Sequence, residues 1–137
     1  MKIILDTNVI IAAFATRGLC SATFELCLDR FDVILSEMIL KETFNSLKSK
    51  IKMPATQCKT IISYLRENCE ISGIDDIEKS ACRDKSDLHV LGLAKRTSAD
   101  IIITGDKDLL DLSHYKKCLI VTLREFWSIV KKKDLSN

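Results

Sequence analysis

A chain of 137 residues has room for one ordinary domain, residues 1–137 with a core over about 2–130 and a short basic tail, because a second core would leave both too small. Apolar residues at 47% and charged residues at 29% exclude a disordered or membrane-embedded chain, and one proline with four glycines argues against a many-hairpin β-sandwich. A formal charge of +2 is too small for bulk electrostatics to hold a polyanion or a membrane surface, so such a partner needs a local site.

Lys2-Ile3-Ile4-Leu5 is a short β-branched run ended by Asp6-Thr7-Asn8, so a strand leads into a helix starting near Asn8. Gly18 breaks that helix, and a second one runs to Asp29 with Ala22, Leu26 and Phe31 or their neighbours facing inward. Val33-Ile34-Leu35 is the next strand, Ser36 an N-cap, and Leu40, Thr43, Phe44 and Leu47 recur at helical spacing. Pro54 opens a further helix carrying Ile61, Ile62 and Leu65; Glu70–Ser72 is a short strand, followed by an acidic loop with Asp75, Asp76 and Glu78. Asp84–Ser98 is a helix, Asp100–Thr104 a fully buried strand around Ile101-Ile102-Ile103, and Gly105-Asp106 its exit turn. Leu119-Ile120-Val121 is the last strand, before a helix from Thr122 to about Lys132 whose Lys131-Lys132-Lys133 end is solvated and complements the helix dipole. Strands alternating with helices in this way predict an α/β protein with a mainly parallel sheet covered on both faces.

The six cysteines, Cys20, Cys27, Cys58, Cys69, Cys82 and Cys118, are scattered without a C-x-x-C pair, which fits free thiols in a reducing cytoplasm. Two histidines, His89 and His114, do not supply the spacing of a structural zinc site. The N-terminus superficially matches a secretion signal, but Asp6 and Asn8 interrupt its apolar stretch and no later run reaches the length of a membrane span, so a soluble cytoplasmic protein is expected.

In an open parallel sheet, ligands bind beyond the carboxyl ends of the strands. Acids fall at that edge here: Asp6 after the first strand, Asp106 after the Ile101–Ile103 strand with Asp108 two residues on, Glu42 in the helix after Val33–Leu35, and Asp84 and Asp87 at the start of a helix. Asp87 shares a face with Val90, Leu91 and Ala94, which turns its carboxylate toward the core. Each acid has a plain alternative as a helix cap or a dipole partner, and periodicity alone makes Glu42 solvated. Their joint occurrence is harder to assign to capping. Two carboxylates about 5 Å apart repel by roughly 3 kcal/mol at an effective dielectric of 20, so a converging group needs raised pKa values or a cation. All-oxygen ligation suits Mg²⁺ or Mn²⁺.

These residues together carry a family resemblance: Asp6-Thr7-Asn8-Val9 after the first strand, Ser36 with Glu42 six residues later, Asp84–Leu91 as D-x-x-D-x-x-x-L, and Thr104-Gly105-Asp106-Lys107-Asp108-Leu109-Leu110. The chain resembles PIN-domain nucleases from Lys2 to Trp127, and within them a bacterial and archaeal subgroup regarded as toxins of type II toxin-antitoxin pairs. The resemblance implies a three-layer α/β/α sandwich and an Mg²⁺- or Mn²⁺-dependent endoribonuclease that hydrolyses RNA, single-stranded RNA being the expected substrate. It also implies an antitoxin partner and a homodimer, while the lack of a long apolar run argues for no membrane association. It assigns Asp6, Glu42, Asp87 and Asp106 as catalytic, metal-binding acids, with Asp108 sharing or assisting the last position. Asp84 against Asp87, and Asp106 against Asp108, stay open as ligands. Thr7, Asn8 and Thr104 are implied to orient carboxylates or the scissile phosphate. Arg17, Arg83 and Lys107 are candidate phosphate contacts, whereas the acidic stretch at Asp75, Asp76 and Glu78, expected near the rim, opposes a polyanion.

Two alternatives stand beside this reading. A haloacid-dehalogenase-like phosphotransferase also places an Asp after its first strand, but its second motif Asp is replaced here by Asn8. A non-catalytic PIN-like binding module would keep the fold and acids and work by sequestration.

Overall fold

The computed structural model describes residues 1–15 and 19–136; Arg17 and the helix break expected at Gly18 lie outside the described residues. Helices and strands alternate as β1 (Lys2–Leu5), α1 (Thr7–Ala15), α2 (Leu19–Arg30), β2 (Asp32–Leu35), α3 (Glu37–Ser49), α4 (Ala55–Asn68) and β3 (Glu70–Ile71). Then follow α5 (Leu88–Thr97), β4 (Ile101–Ile103), α6 (Lys107–Leu110), β5 (His114–Tyr115), β6 (Cys118–Val121) and α7 (Leu123–Ser136). Two 3-10 turns, Lys79–Ala81 and Lys85–Asp87, precede α5.

The six strands form one sheet in the order β3-β2-β1-β4-β6-β5, parallel except for the β5–β6 hairpin. The chain winds outward from β1 to β3 and then returns across to β4 and β6, so right-handed crossovers put helices on both faces of the sheet. This is the α/β/α sandwich expected. The winding reverses between β1 and β4, which leaves a crevice beyond their carboxyl ends. Ile3, Ile4 and Leu5, Val33 to Leu35, and Ile101 to Ile103 are all buried, because these strands are covered on both faces.

Local chemistry accounts for most element boundaries. Ser36 caps α3 by accepting from Ile39 N at 3.1 Å. Thr122 and Glu125 form a reciprocal capping box at the start of α7: Thr122 Oγ1 accepts from Glu125 N, and Glu125 Oε1 accepts from Thr122 N. Ser98 ends α5 in the left-handed conformation at φ 54°. Two elements escaped the sequence reading, β5 with two residues and α6 with four, because neither is long enough to show a period. On α2 the buried face is Thr23, Phe24 and Cys27, while Ala22 is exposed. Its apolar residues spread around the helix, so its sequence fits more than one inward face. Among the described residues, no helix is long and apolar enough to cross a membrane.

The acidic loop sits differently from expectation. Asp75 N donates to Gly92 O at 3.0 Å, and its carboxylate pairs with Arg96 at 3.2 Å. Arg96 is in the last turn of α5, roughly 13 Å along the helix from Asp87 at 1.5 Å per residue. The Asp75 charge is thus compensated at the end of α5 remote from Asp87. Gly92 permits this docking, since a Cβ there would run into the Asp75 carbonyl oxygen.

Candidate metal centre

Parallel register builds the centre first. Leu5 pairs with Ile103, so the next residues, Asp6 and Thr104, leave β1 and β4 side by side. Asp6 Oδ2 accepts from Thr104 Oγ1 at 2.7 Å, and its Oδ1 accepts from the N–H of Thr7 at 2.8 Å. The Thr104 hydroxyl in turn accepts from Asp106 N at 3.0 Å. One buried threonine therefore ties the first acid to the loop that carries another. Asn8 braces the same loop, accepting from Gly105 N at 3.3 Å through Oδ1.

The helical acids approach from the other side. Asp87, in the 3-10 turn leading into α5, is only 8% exposed, and its Oδ2 is buried without a hydrogen-bond partner among the described residues. Glu42 lies on α3, half-buried, with Oε1 accepting from Thr7 Oγ1 at 3.2 Å and 3.1 Å from His89 Nε2. Asp6, Glu42, Asp87 and Asp106 all line one open cavity of about 360 Å³, together with Thr7 and Asn8. Among the described residues, the acids whose oxygens fall within 4.8 Å of one another are Asp84, Asp87 and Asp108; Asp6, Glu42 and Asp106 share the cavity with Asp87 without forming a group of three that close. Capping is also real at two acids: Asp84 Oδ1 accepts from Ser86 N at 3.0 Å, and Asp106 Oδ1 from Asp108 N at 2.8 Å.

Burial and mutual repulsion disturb the acids. Asp87 is pushed up to about 7, first by burial, then by the closeness of the Asp106 carboxyl and the charges of Asp106, Asp84 and Asp6. Burial also raises Asp6, and the Asp106 charge adds to it, against the lowering effect of the Thr104 and Thr7 hydrogen bonds. Exposed Asp84 moves the other way, lowered by its Ser86 hydrogen bonds. An unpaired carboxylate oxygen, buried among hard oxygen donors that repel one another, fits a divalent cation of the Mg²⁺ or Mn²⁺ class.

The candidate phosphate contacts are less uniform. Arg83 reaches Asp108 at 3.7 Å and Asp111 at 3.6 Å, so acids already engage it. Lys107 is exposed at the start of α6. The cavity wall along α3 adds Asn45, Ser46 and Lys50, none of which carried a sequence signal. His89 was passed over as well. Its signal was available in retrospect: α5 is buried from Val90 through Ala94, so a polar residue at its entry is drawn inward with it.

A family model described as PIN domain matches residues 2–108. The chain belongs to the PIN-domain family. Members of that family are nucleases that generally use a divalent metal, which sets aside the haloacid-dehalogenase-like alternative. This PIN domain is 32% identical over 124 residues to an uncharacterized protein of Methanocaldococcus jannaschii, covering 87% of this chain and 79% of the relative. It is similar in structure to VapBC2 from Rickettsia felis, solved bound to a DNA fragment from its promoter. The TM-score is 0.63 at 14% identity, over 88% of this chain and 97% of the other, a likeness of fold.

Proposed function

We propose that this PIN domain is an Mg²⁺- or Mn²⁺-dependent endoribonuclease and the toxin of a toxin-antitoxin pair, working in the cytoplasm on single-stranded RNA. The observation that carries the reading is the convergence of Asp6, Glu42, Asp87 and Asp106 on one cavity, with a buried Asp87 oxygen left unpaired. These acids would hold the cation, with Asp108, which groups with Asp84 and Asp87, assisting. When bound, it supplies charge neutralisation and activation of water for in-line attack on a phosphodiester.

The protein's own contribution is placement. Asp6 is fixed by donors on both oxygens, so its carboxylate is held in one orientation before any ligand arrives. Thr104 couples that orientation to the Asp106 loop, and Asn8 restrains the Gly105 turn that sets the loop's path. Without a cation, the acids repel both each other and a phosphate, so RNA binding at this cavity depends on their being neutralised.

The VapBC2 likeness and the resemblance of the sequence to toxins support an antitoxin partner, and the family resemblance supports a homodimer. Replacing Asp6→Asn or Asp106→Asn is expected to abolish Mn²⁺-dependent cleavage of a single-stranded RNA while the circular dichroism spectrum stays that of the parent. Unchanged cleavage by either purified variant rejects the assigned site. Binding of that RNA without any metal-dependent cleavage by the parent protein supports the sequestering module instead.

A further inference from the structure

His89 enters the acid cavity from the first turn of α5, two residues after Asp87. Its side chain is 10% exposed, Nε2 lies 3.1 Å from Glu42 Oε1, and Nδ1 is buried without a partner among the described residues. Glu42 is a different case: 39% of its side chain is exposed, on a helix flank where a glutamate ordinarily keeps its rotamer freedom. Two groups nevertheless meet on the same oxygen, the Thr7 hydroxyl donating at 3.2 Å and the His89 ring with Nε2 3.1 Å away. They come from separate elements, each next to another acid of the cavity: Thr7 follows Asp6, and His89 lies beyond Asp87.

We propose that His89 is a positioning residue: its ring, 3.1 Å from Glu42 Oε1, fixes that carboxylate together with the Thr7 hydroxyl and so holds Glu42 ready for the cation. The inference rests on the reading of Glu42 as a metal-binding acid. An imidazole suits the place because its ring is rigid and its Nε2 reaches the carboxylate. An aliphatic residue would leave Glu42 to the Thr7 hydroxyl alone on an exposed flank.

The test is a Mn²⁺ titration by calorimetry on the full chain, read beside the thermal midpoint. His89→Leu, which keeps the buried volume and removes the donor, is expected to weaken Mn²⁺ binding by about 10- to 100-fold, and His89→Gln, whose amide N–H can reach the same oxygen, to recover most of the loss. A simple packing role would show the reverse ordering, with Leu tolerated and Gln not. Unchanged Mn²⁺ affinity in His89→Leu, or no recovery in His89→Gln, overturns the proposal. The Asp6→Asn variant separates the two levels of failure: if it binds Mn²⁺ as tightly as the parent, the metal reading itself fails. If it loses binding while His89→Leu does not, only the role of His89 is lost.

Discussion

Replacing Asp87→Asn is expected to remove nuclease activity and, in metal-free buffer near pH 7.5, to make the protein more stable. The carboxyl titrates near 7 in the folded protein against about 3.9 in an unfolded chain, so the native state holds an extra proton between those values. For a raised pKa the linked stability is fully present below about pH 4 and is lost as pH rises through about 7. About three units at 1.36 kcal/mol each set an upper figure near 4 kcal/mol for the cost of ionising Asp87 in place. Asparagine occupies nearly the same volume without the charge, and its amide can donate to the neighbouring Asp106 carboxylate. Urea unfolding in EDTA at pH 4, 5.5 and 7.5 measures the effect. The variant should be more stable than the parent at pH 7.5, by at most about 4 kcal/mol, with the gap closing toward pH 4. A variant less stable than the parent at pH 7.5, or a difference that does not change with pH, refutes the claim that burial and neighbouring carboxylates strain Asp87.

Other outcomes follow from the same geometry. Saturating Mn²⁺ should raise the thermal midpoint, by the equivalent of about 2.7 kcal/mol at a hundredfold excess over Kd, and by much less at pH 5, where the cation must displace the proton on Asp87; equal shifts at both pH values would place the ion elsewhere. Thr104→Val strips a donor from Asp6 and an acceptor from Asp106 N in a buried position, and is expected to cost about 1–3 kcal/mol in urea unfolding together with a steep drop in cleavage rate. Gly92→Ala should destabilise by roughly 1–3 kcal/mol by pressing on the Asp75 carbonyl; a neutral result in urea unfolding would mean that the loop moves aside without penalty. In light scattering at micromolar concentration, the proposed homodimer should run at twice the 15.5 kDa chain mass, and a monomer alone would remove it from the reading.

The parts of the site legible from sequence are those fixed by strand endings. An acid directly after a β-branched run must leave the sheet at its carboxyl edge, and a parallel neighbour brings its own following residues to the same place, which is how Asp6, Thr104 and Asp106 became readable. Helical period placed Asp87 on the face of Val90, Leu91 and Ala94, and it is buried, while Asp84 is exposed and caps on Ser86; the choice between them as ligands did not follow from that period, and their oxygens lie within 4.8 Å of each other. The period failed at Glu42 because it reports only the core side of a helix. Glu42 stands on the flank of α3, and what half-buries it comes from other elements, Thr7 at the head of α1 and His89 at the head of α5. Such contacts join positions 35 to 47 residues apart, where single-helix patterns carry no information.

Capping and ligation are therefore not rival explanations for these acids. A cap uses one carboxylate oxygen to bind a backbone N–H and so fixes the side chain as firmly as the loop: Asp106 Oδ1 is held by Asp108 N, and Asp6 Oδ1 by Thr7 N. Asp87 has no such side-chain cap bond although it stands at the N-cap position of α5, and it is the acid whose burial is least compensated. If the cavity were only a cluster of helix starts, Asp87 would be expected to turn its oxygen to the free N–H groups beside it, as Asp84 and Asp106 do. It keeps a buried oxygen unpaired instead, a costly arrangement that a cation bound at Asp87 would relieve.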